Sequence, residues 1–171
     1  MIRAAGFVLL LCAFSTGCGY HTAGHSNLLP PNLRVLAVPA FVNQTQTYKI
    51  EQTLTAAVVK EFTTRTSYHV ISDPGSADAT LRGTVFSAST TPLTYDSRTG
   101  RASTVLVVVG MNVSLTDAKG RVLYQNPSYV FREQYQVPQE LSTFFEEDSP
   151  AFKRLSSEFA RTLVSNILEA F

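Results

Sequence analysis

Residues 101–116, RASTVLVVVGMNVSLT, constrain the fold more than any other stretch of this chain. Six odd-numbered positions in succession, Val105, Val107, Val109, Met111, Val113 and Leu115, are apolar. A period of two puts them all on one face of a single strand. The even positions Thr104, Leu106, Val108, Gly110, Asn112, Ser114 and Thr116 are mixed. Twelve such residues at about 3.3 Å each run to roughly 40 Å, long for a strand in a small domain. A sheet this tall needs cover on its apolar face. Two helical stretches elsewhere can supply it, which leaves the half-polar face uncovered from within the chain and points to a partner that completes it.

The flanking elements follow from local pattern. Residues 33–38 are a short apolar run closed by Pro39, a first strand, and residues 39–45 read as a loop. Residues 48–65 carry Ile50, Leu54, Ala57, Val58 and Phe62 at helical spacing, with Thr47 as the expected N-cap. A short strand over 68–72 precedes turn chemistry at Asp73-Pro74-Gly75-Ser76. From 79 to 88, Leu81 and Val85 alternate with Arg82, Thr84 and Phe86, a strand with one better-buried face. Residues 90–100, TTPLTYDSRTG, read as an exposed loop. After the long strand, Asp117-Ala118-Lys119-Gly120 makes a hairpin turn. Residues 121–137 then return with Tyr129, Phe131, Glu133, Tyr135 and Val137 on one face. Asn126-Pro127 interrupts that strand, which suits a bulge or a sheet edge.

The last element is a helix with Ser149 as N-cap and Pro150 at its first position. The acidic residues 146–148 lie beside the positive end of its dipole, and capping accounts for them without a calcium ion. Phe152, Leu155, Phe159, Leu163 and Ile167 form its apolar stripe, with Leu168 and Phe171 beside it. The expected fold is α+β in two layers, two helices packed on one face of a four- to five-stranded mixed sheet. No repeat or second domain is visible, so residues 33–171 form a single domain.

The start of the chain has a different character. Residues 1–17 hold one basic residue, Arg3, an apolar run over 4–14 and the small residues Ser15, Thr16 and Gly17. That is the order of a secretory signal, and the run is too short for a bilayer, which needs about 20 residues. Cys18 follows directly, and Ser15-Thr16-Gly17-Cys18 resembles a bacterial lipobox with Ser where Leu is usual. Cys18 is therefore either the acylated first residue of the mature protein or a leftover thiol. The second cysteine, Cys12, lies in the discarded segment, so no disulfide partner remains. Each buried methylene contributes about 0.8 kcal/mol, so two or three acyl chains would hold the protein on a membrane. Residues 18–32 have no apolar period and read as a tether. His21 and His25 sit within it, but acylation consumes the thiol and leaves no metal-ligand set.

Composition narrows the function classes. Charged residues are 16% of the chain, against roughly 25% in ordinary soluble domains, and nineteen threonines supply much of the polarity. Setting Arg3 aside with the leader leaves 13 basic and 13 acidic side chains, too balanced for a nucleic-acid binder. No G-x-S-x-G, H-E-x-x-H, C-x-x-C or phosphate-binding loop occurs, so no enzyme is expected. His69, the one histidine of the folded body, sits beside Val70 and reads as a packed strand residue.

Several of these residues together resemble the LPS-assembly lipoprotein family LptE. The resemblance rests on Cys18-Gly19-Tyr20-His21, Val38-Pro39-Ala40-Phe41-Val42-Asn43-Gln44-Thr45, and Leu54-Thr55 with Glu61-Phe62 and Arg65. Ala77-Asp78-Ala79 with Leu81, Gly83 and Val85, then Asp117, Gly120-Arg121-Val122-Leu123-Tyr124 and Phe131-Arg132, continue it to cover nearly all the mature chain. The resemblance implies an outer-membrane lipoprotein that plugs a large translocon β-barrel, assists its assembly and contacts lipopolysaccharide during export. Gly19 in place of Asp after the cysteine implies retention in the outer membrane. It also places a basic loop at Arg98 and Arg101, the first candidates for lipid phosphate, with Lys119 and Arg121 of the next hairpin turn second. The four cations could equally be solvated loop ends. No cofactor is implied beyond acyl chains on Cys18. The rival functions are a stand-alone lipid carrier and an unrelated structural lipoprotein of the envelope.

Overall fold

The computed structural model describes residues 33–136 and 150–170. Cys18, the leader, the tether, Val137, the acidic run, Ser149 and Phe171 lie outside the described residues. The elements in order are β1 (Val35–Ala37), β2 (Val42–Asn43), α1 (Ile50–Arg65), β3 (His69–Ile71), β4 (Ala79–Tyr95), β5 (Ala102–Asp117), β6 (Val122–Gln136) and α2 (Pro150–Glu169). A single 3-10 turn, Pro74–Ser76, sits between β3 and β4.

Six strands form one mixed sheet in the order β3-β1-β4-β5-β6, with β2 also beside β4. This is one strand more than expected. The short β2 lies inside the segment read as a loop, where Val42 pairs with Thr84 and Gln44 N–H donates to the Val85 carbonyl at 2.9 Å. β1 and β2 run parallel to β4 and follow one another along the same edge, broken around Pro39. β4, β5 and β6 are an antiparallel meander.

The odd row of β5 is the floor of the core. Val107, Val109, Met111, Val113 and Leu115 are fully buried and Val105 nearly so. Opposite them in register stand Leu81, Val85, Tyr129 and Phe131, so alternation selects one inward face across three strands. Ile50, Leu54, Val58 and Phe62 of α1 and Phe152, Leu155, Phe159, Leu163 and Ile167 of α2 cover it. Tyr129 and Phe131 meet the Phe159 ring edge-on at 6.0 and 5.8 Å, which anchors α2 over the β5–β6 half. Burial pushes the Tyr129 hydroxyl up to about 12, with the nearby Tyr124 adding to it.

Three local readings are corrected. β4 runs on to Tyr95, through the polar stretch read as a loop from residue 90, because its threonines pair with β5: Thr90 faces Val107 and Thr91 faces Leu106. The true loop is confined to residues 96–101. The α1 cap is Lys49 in a left-handed conformation at φ 51°, with no capping side chain, and not Thr47. Thr47 instead belongs to the preceding loop, where its carbonyl accepts from the Asn43 amide at 2.8 Å. His69 is exposed on the edge strand β3 and is not packed. The bulge expected near Asn126-Pro127 is present, since the β5–β6 register shifts between Met111 and Val113, and β6 is the other edge of the sheet.

Candidate functional site

The β4–β5 turn carries the two leading candidate residues. Asp96 builds it: its Oδ1 accepts the backbone N–H of Thr99 at 2.7 Å and of Arg98 at 2.9 Å, which holds its carboxyl below the usual carboxylate range. The turn closes through Asp96 N–H to the Arg101 carbonyl and Gly100 N–H to the Asp96 carbonyl, both 2.8 Å. Gly100 sits at φ +67°, a conformation that costs any residue with a Cβ. With its carboxylate committed to backbone, Asp96 leaves Arg98 projecting from a rigid tip, and Arg101 is exposed beside it.

The β5–β6 turn is built the same way. Asp117 accepts the N–H of Arg121 at 2.8 Å and of Lys119 at 2.9 Å, and its second oxygen holds the Arg121 Nε at 3.1 Å. These bonds, the Arg121 N–H foremost, lower the Asp117 carboxyl below its ordinary range. Arg121 is thereby committed to its own turn, while Lys119 is exposed at the corner. The two turns are consecutive in sequence but sit at opposite ends of β5, which pairs with β4 from Ala102 opposite Tyr95 to Asp117 opposite Ala79. Fifteen residue steps at about 3.3 Å separate them by roughly 50 Å. Arg98 and Arg101 form one cluster; Lys119 and Arg121 cannot join it on one small headgroup.

Most of the recognisable motif residues turn out to be scaffold. Asn43 accepts from the Thr45 N–H and hydroxyl, both at 2.8 Å, and donates to Glu51 Oε2 at 2.9 Å, tying β2 to the start of α1. Thr55 accepts the Phe41 N–H at 3.0 Å. Asp78 Oδ2 takes the N–H groups of Val35 and Arg34, both at 2.8 Å, clamping β1 beside β4, and these bonds lower its carboxyl below the usual range. Arg65 reaches across to α2, donating to Ser165 Oγ at 2.7 Å. An open concavity of about 500 Å³ beside the Asn43 loop is lined by Asn43, Thr45, Thr47, Tyr48, Lys49 and Gln52 among others, with polar and apolar surface in near-equal share.

The outer face of the sheet is the feature that pattern alone only half reveals. Neither helix lies on it. The β4–β5 register shifts between Val85 and Ser87, so Phe86 is an extra residue turned outward. Its ring lies against Gly110, where an added Cβ would come within 2.7 Å of Phe86 Cε2 and would also strike Ser87 Oγ. Phe86 thus covers the one gap in the β5 outer row, as an aromatic does over a strand glycine. Leu106 and Val108 in the same row are half-buried, and Val130 of β6 is exposed.

The sequence signature of the family LptE: Lipopolysaccharide-assembly matches residues 33–167, most of the chain and all but the last three residues of the domain just described. The chain belongs to the LptE family. No curated protein matches the sequence significantly. Among solved structures, the hypothetical protein CT253 from Chlamydia trachomatis is 8% identical over 81% of this LptE-family chain and 97% of its own, at a TM-score of 0.55. The PelC dodecamer from Paraburkholderia phytofirmans is 15% identical over 79% and 86%, at 0.50. At these identities the two establish a shared fold and nothing more. Rare lipoprotein B from Shewanella oneidensis is 12% identical over 80% and 95%, at 0.49. Among the described residues of the LptE-family domain, no helix is long and apolar enough to cross a membrane.

Proposed function

We propose that this LptE-family chain is an outer-membrane lipoprotein, anchored by acyl chains on Cys18, that plugs the lipopolysaccharide translocon β-barrel and assists its assembly. Its role is binding and structural, not catalytic. The observation that carries the reading is the open sheet: both helices pack on one face, and the other presents a tall, weakly charged, hydroxyl-rich surface. The lumen of a wide membrane barrel is polar, so an element seated there must offer hydrogen bonds in place of grease.

Contact with lipopolysaccharide is assigned first to the β4–β5 tip. Lipid phosphates need accessible guanidinium groups, and Arg98 and Arg101 stand on a turn that Asp96 already rigidifies. Lys119 and Arg121 take second place at the far end, where Arg121 is engaged by Asp117. Affinity purification from gently solubilised outer membranes tests the plug: a large β-barrel should come with the chain in equal amount, and its absence would refute the reading. Arg98→Glu with Arg101→Glu should weaken lipopolysaccharide binding with the circular dichroism unchanged; unaltered binding would reduce both arginines to solvated loop ends.

A further inference from the structure

The side to which each strand turns its main chain can be followed across the sheet. Gln44 N–H donates to the Val85 carbonyl at 2.9 Å, so Val85 turns its main chain toward β2 and away from β5. Met111, opposite Val85, therefore turns toward β6, and alternation carries Val109, Val107 and Val105 with it. The bond from Asp117 N–H to the Arg121 carbonyl, also 2.9 Å, falls on the same alternation. These β5 residues exchange their bonds with Tyr129, Phe131, Glu133 and Tyr135. The N–H and C=O groups of the residues between, Val130, Arg132, Gln134 and Gln136, consequently point out of the sheet. All four residues are exposed, and among the described residues these outward main-chain groups have no partner.

Among the described residues this is the longest open run of edge. β3 is only three residues long, and the part of β4 left open beyond Val85 is broken by Pro92. From Tyr129 to Gln136 the β5–β6 register is continuous, with no proline or lysine. An edge of that kind is a template for one more strand. Its side chains define which strand. Arg132 lies on the outer face and Glu133 next to it on the inner, and neither makes an ion pair with a described residue. An inward charge on an edge turns away indiscriminate partners, and together with Arg132 it demands two opposite charges in succession. Phe131, almost fully buried, calls for an apolar neighbour beside that pair. A second copy of this chain is disfavoured, because the symmetric pairing that uses all four open residues sets Glu133 against Glu133.

We infer that the outer edge of β6, from Val130 to Gln136, takes up an antiparallel strand of another protein. That strand carries, in order along its chain, a cation opposite Glu133, a carboxylate opposite Arg132 and an apolar residue opposite Phe131. The inference does not rest on the barrel reading, because the open main-chain groups are set within the sheet itself.

The probe is the peptide Thr-Val-Thr-Lys-Glu-Val-Thr, blocked at both ends and titrated onto the full acylated chain in detergent micelles. Amide exchange should slow at Val130, Arg132 and Gln134 and stay unchanged at Phe131 and Glu133, whose N–H groups already bond to β5. Exchanging the peptide's Lys and Glu turns two cross-strand pairs unfavourable and should weaken binding by roughly fivefold or more. Arg132→Glu with Glu133→Arg should reverse that preference, which a change in folding would not do. Gln134→Pro removes an N–H that β5 does not use, so it should abolish binding while the melting curve stays nearly the same. Protection that ignores the alternation, equal affinity for the two peptides, or a preference that the double variant leaves unreversed would overturn the inference. A dimer seen by sedimentation and dissociated by Gln134→Pro would assign the edge to a second copy and overturn it as well.

Discussion

A carboxylate placed at position 109 should undo the domain, while the same change one residue earlier should be tolerated. Val109 is fully buried at the middle of β5, with Ala88 and Phe131 opposite it, whereas Val108 faces outward. In Val109→Asp, losing the valine's burial costs about 1.5–3 kcal/mol. Documented buried carboxyls titrate near 8–9, so the new group would be neutral in the folded state at pH 7. Withholding it from ionisation, against an unfolded value of about 3.9, costs roughly 4 kcal/mol at 1.36 kcal/mol per unit. The total of about 6–7 kcal/mol rivals the whole stability of an ordinary domain, about 5–15 kcal/mol. Val108→Asp should cost about 1 kcal/mol, the span of strand preference on an open face.

The sign of the pH dependence gives a second check on the same variant. Its folded state would bind a proton that the unfolded state releases, so stability falls as pH rises above about 4. The deficit of Val109→Asp relative to the parent should therefore shrink by about 3 kcal/mol between pH 7 and pH 5. Urea unfolding followed by circular dichroism at both values measures it. A Val109→Asp protein as stable as Val108→Asp, or one whose deficit ignores pH, would show that the inward and outward rows have been exchanged.

Phe159→Leu should cost about 1–3 kcal/mol, from two edge-on ring contacts at about 0.5–1.5 each, and a double-mutant cycle with Phe131→Leu should show coupling; strict additivity would refute the contact. Asp78→Asn should lower the melting temperature at neutral pH, because a carboxyl held below its unfolded value stabilises above that value and loses its effect as pH falls through the folded one. The gap between variant and parent should close below about pH 4, and a gap constant from pH 7 to 3 would contradict the assignment. Cys18→Ala should abolish acylation of the precursor, and a parent protein of unmodified mature mass would remove the anchor from the account.

What the sequence revealed was whatever has a long, regular period. The row from Val105 to Leu115 and the stripe from Phe152 to Ile167 were legible because each repeats over several turns or pleats and each is buried as its period requires. Short or locally irregular features were not. Thr90 to Tyr95 carries threonine and proline and reads as a loop, yet pairing with β5 holds it in the sheet. The two residues of β2 carry no period at all. Lys49 at a positive φ overrides a plausible cap at Thr47, because the Asn43 side chain dictates the path of the loop first. The outward row was visible only as a mixture: Leu106 and Val108 stood in the sequence, but the bulge that brings Phe86 over Gly110 breaks alternation at a point no pattern marks.

The bond from Arg65 to Ser165 joins residues one hundred positions apart, and Leu36 already lies beside Ala79. The two helices must therefore meet from distant parts of the chain before the interior closes. A polypeptide delivered amino end first would keep the floor formed by Val107 and Val109 wet until α2 had arrived. Distant partners of this kind make assembly slow. Until then the inward row of β5 is a sticky, unfinished surface, and α2 acts as its latch.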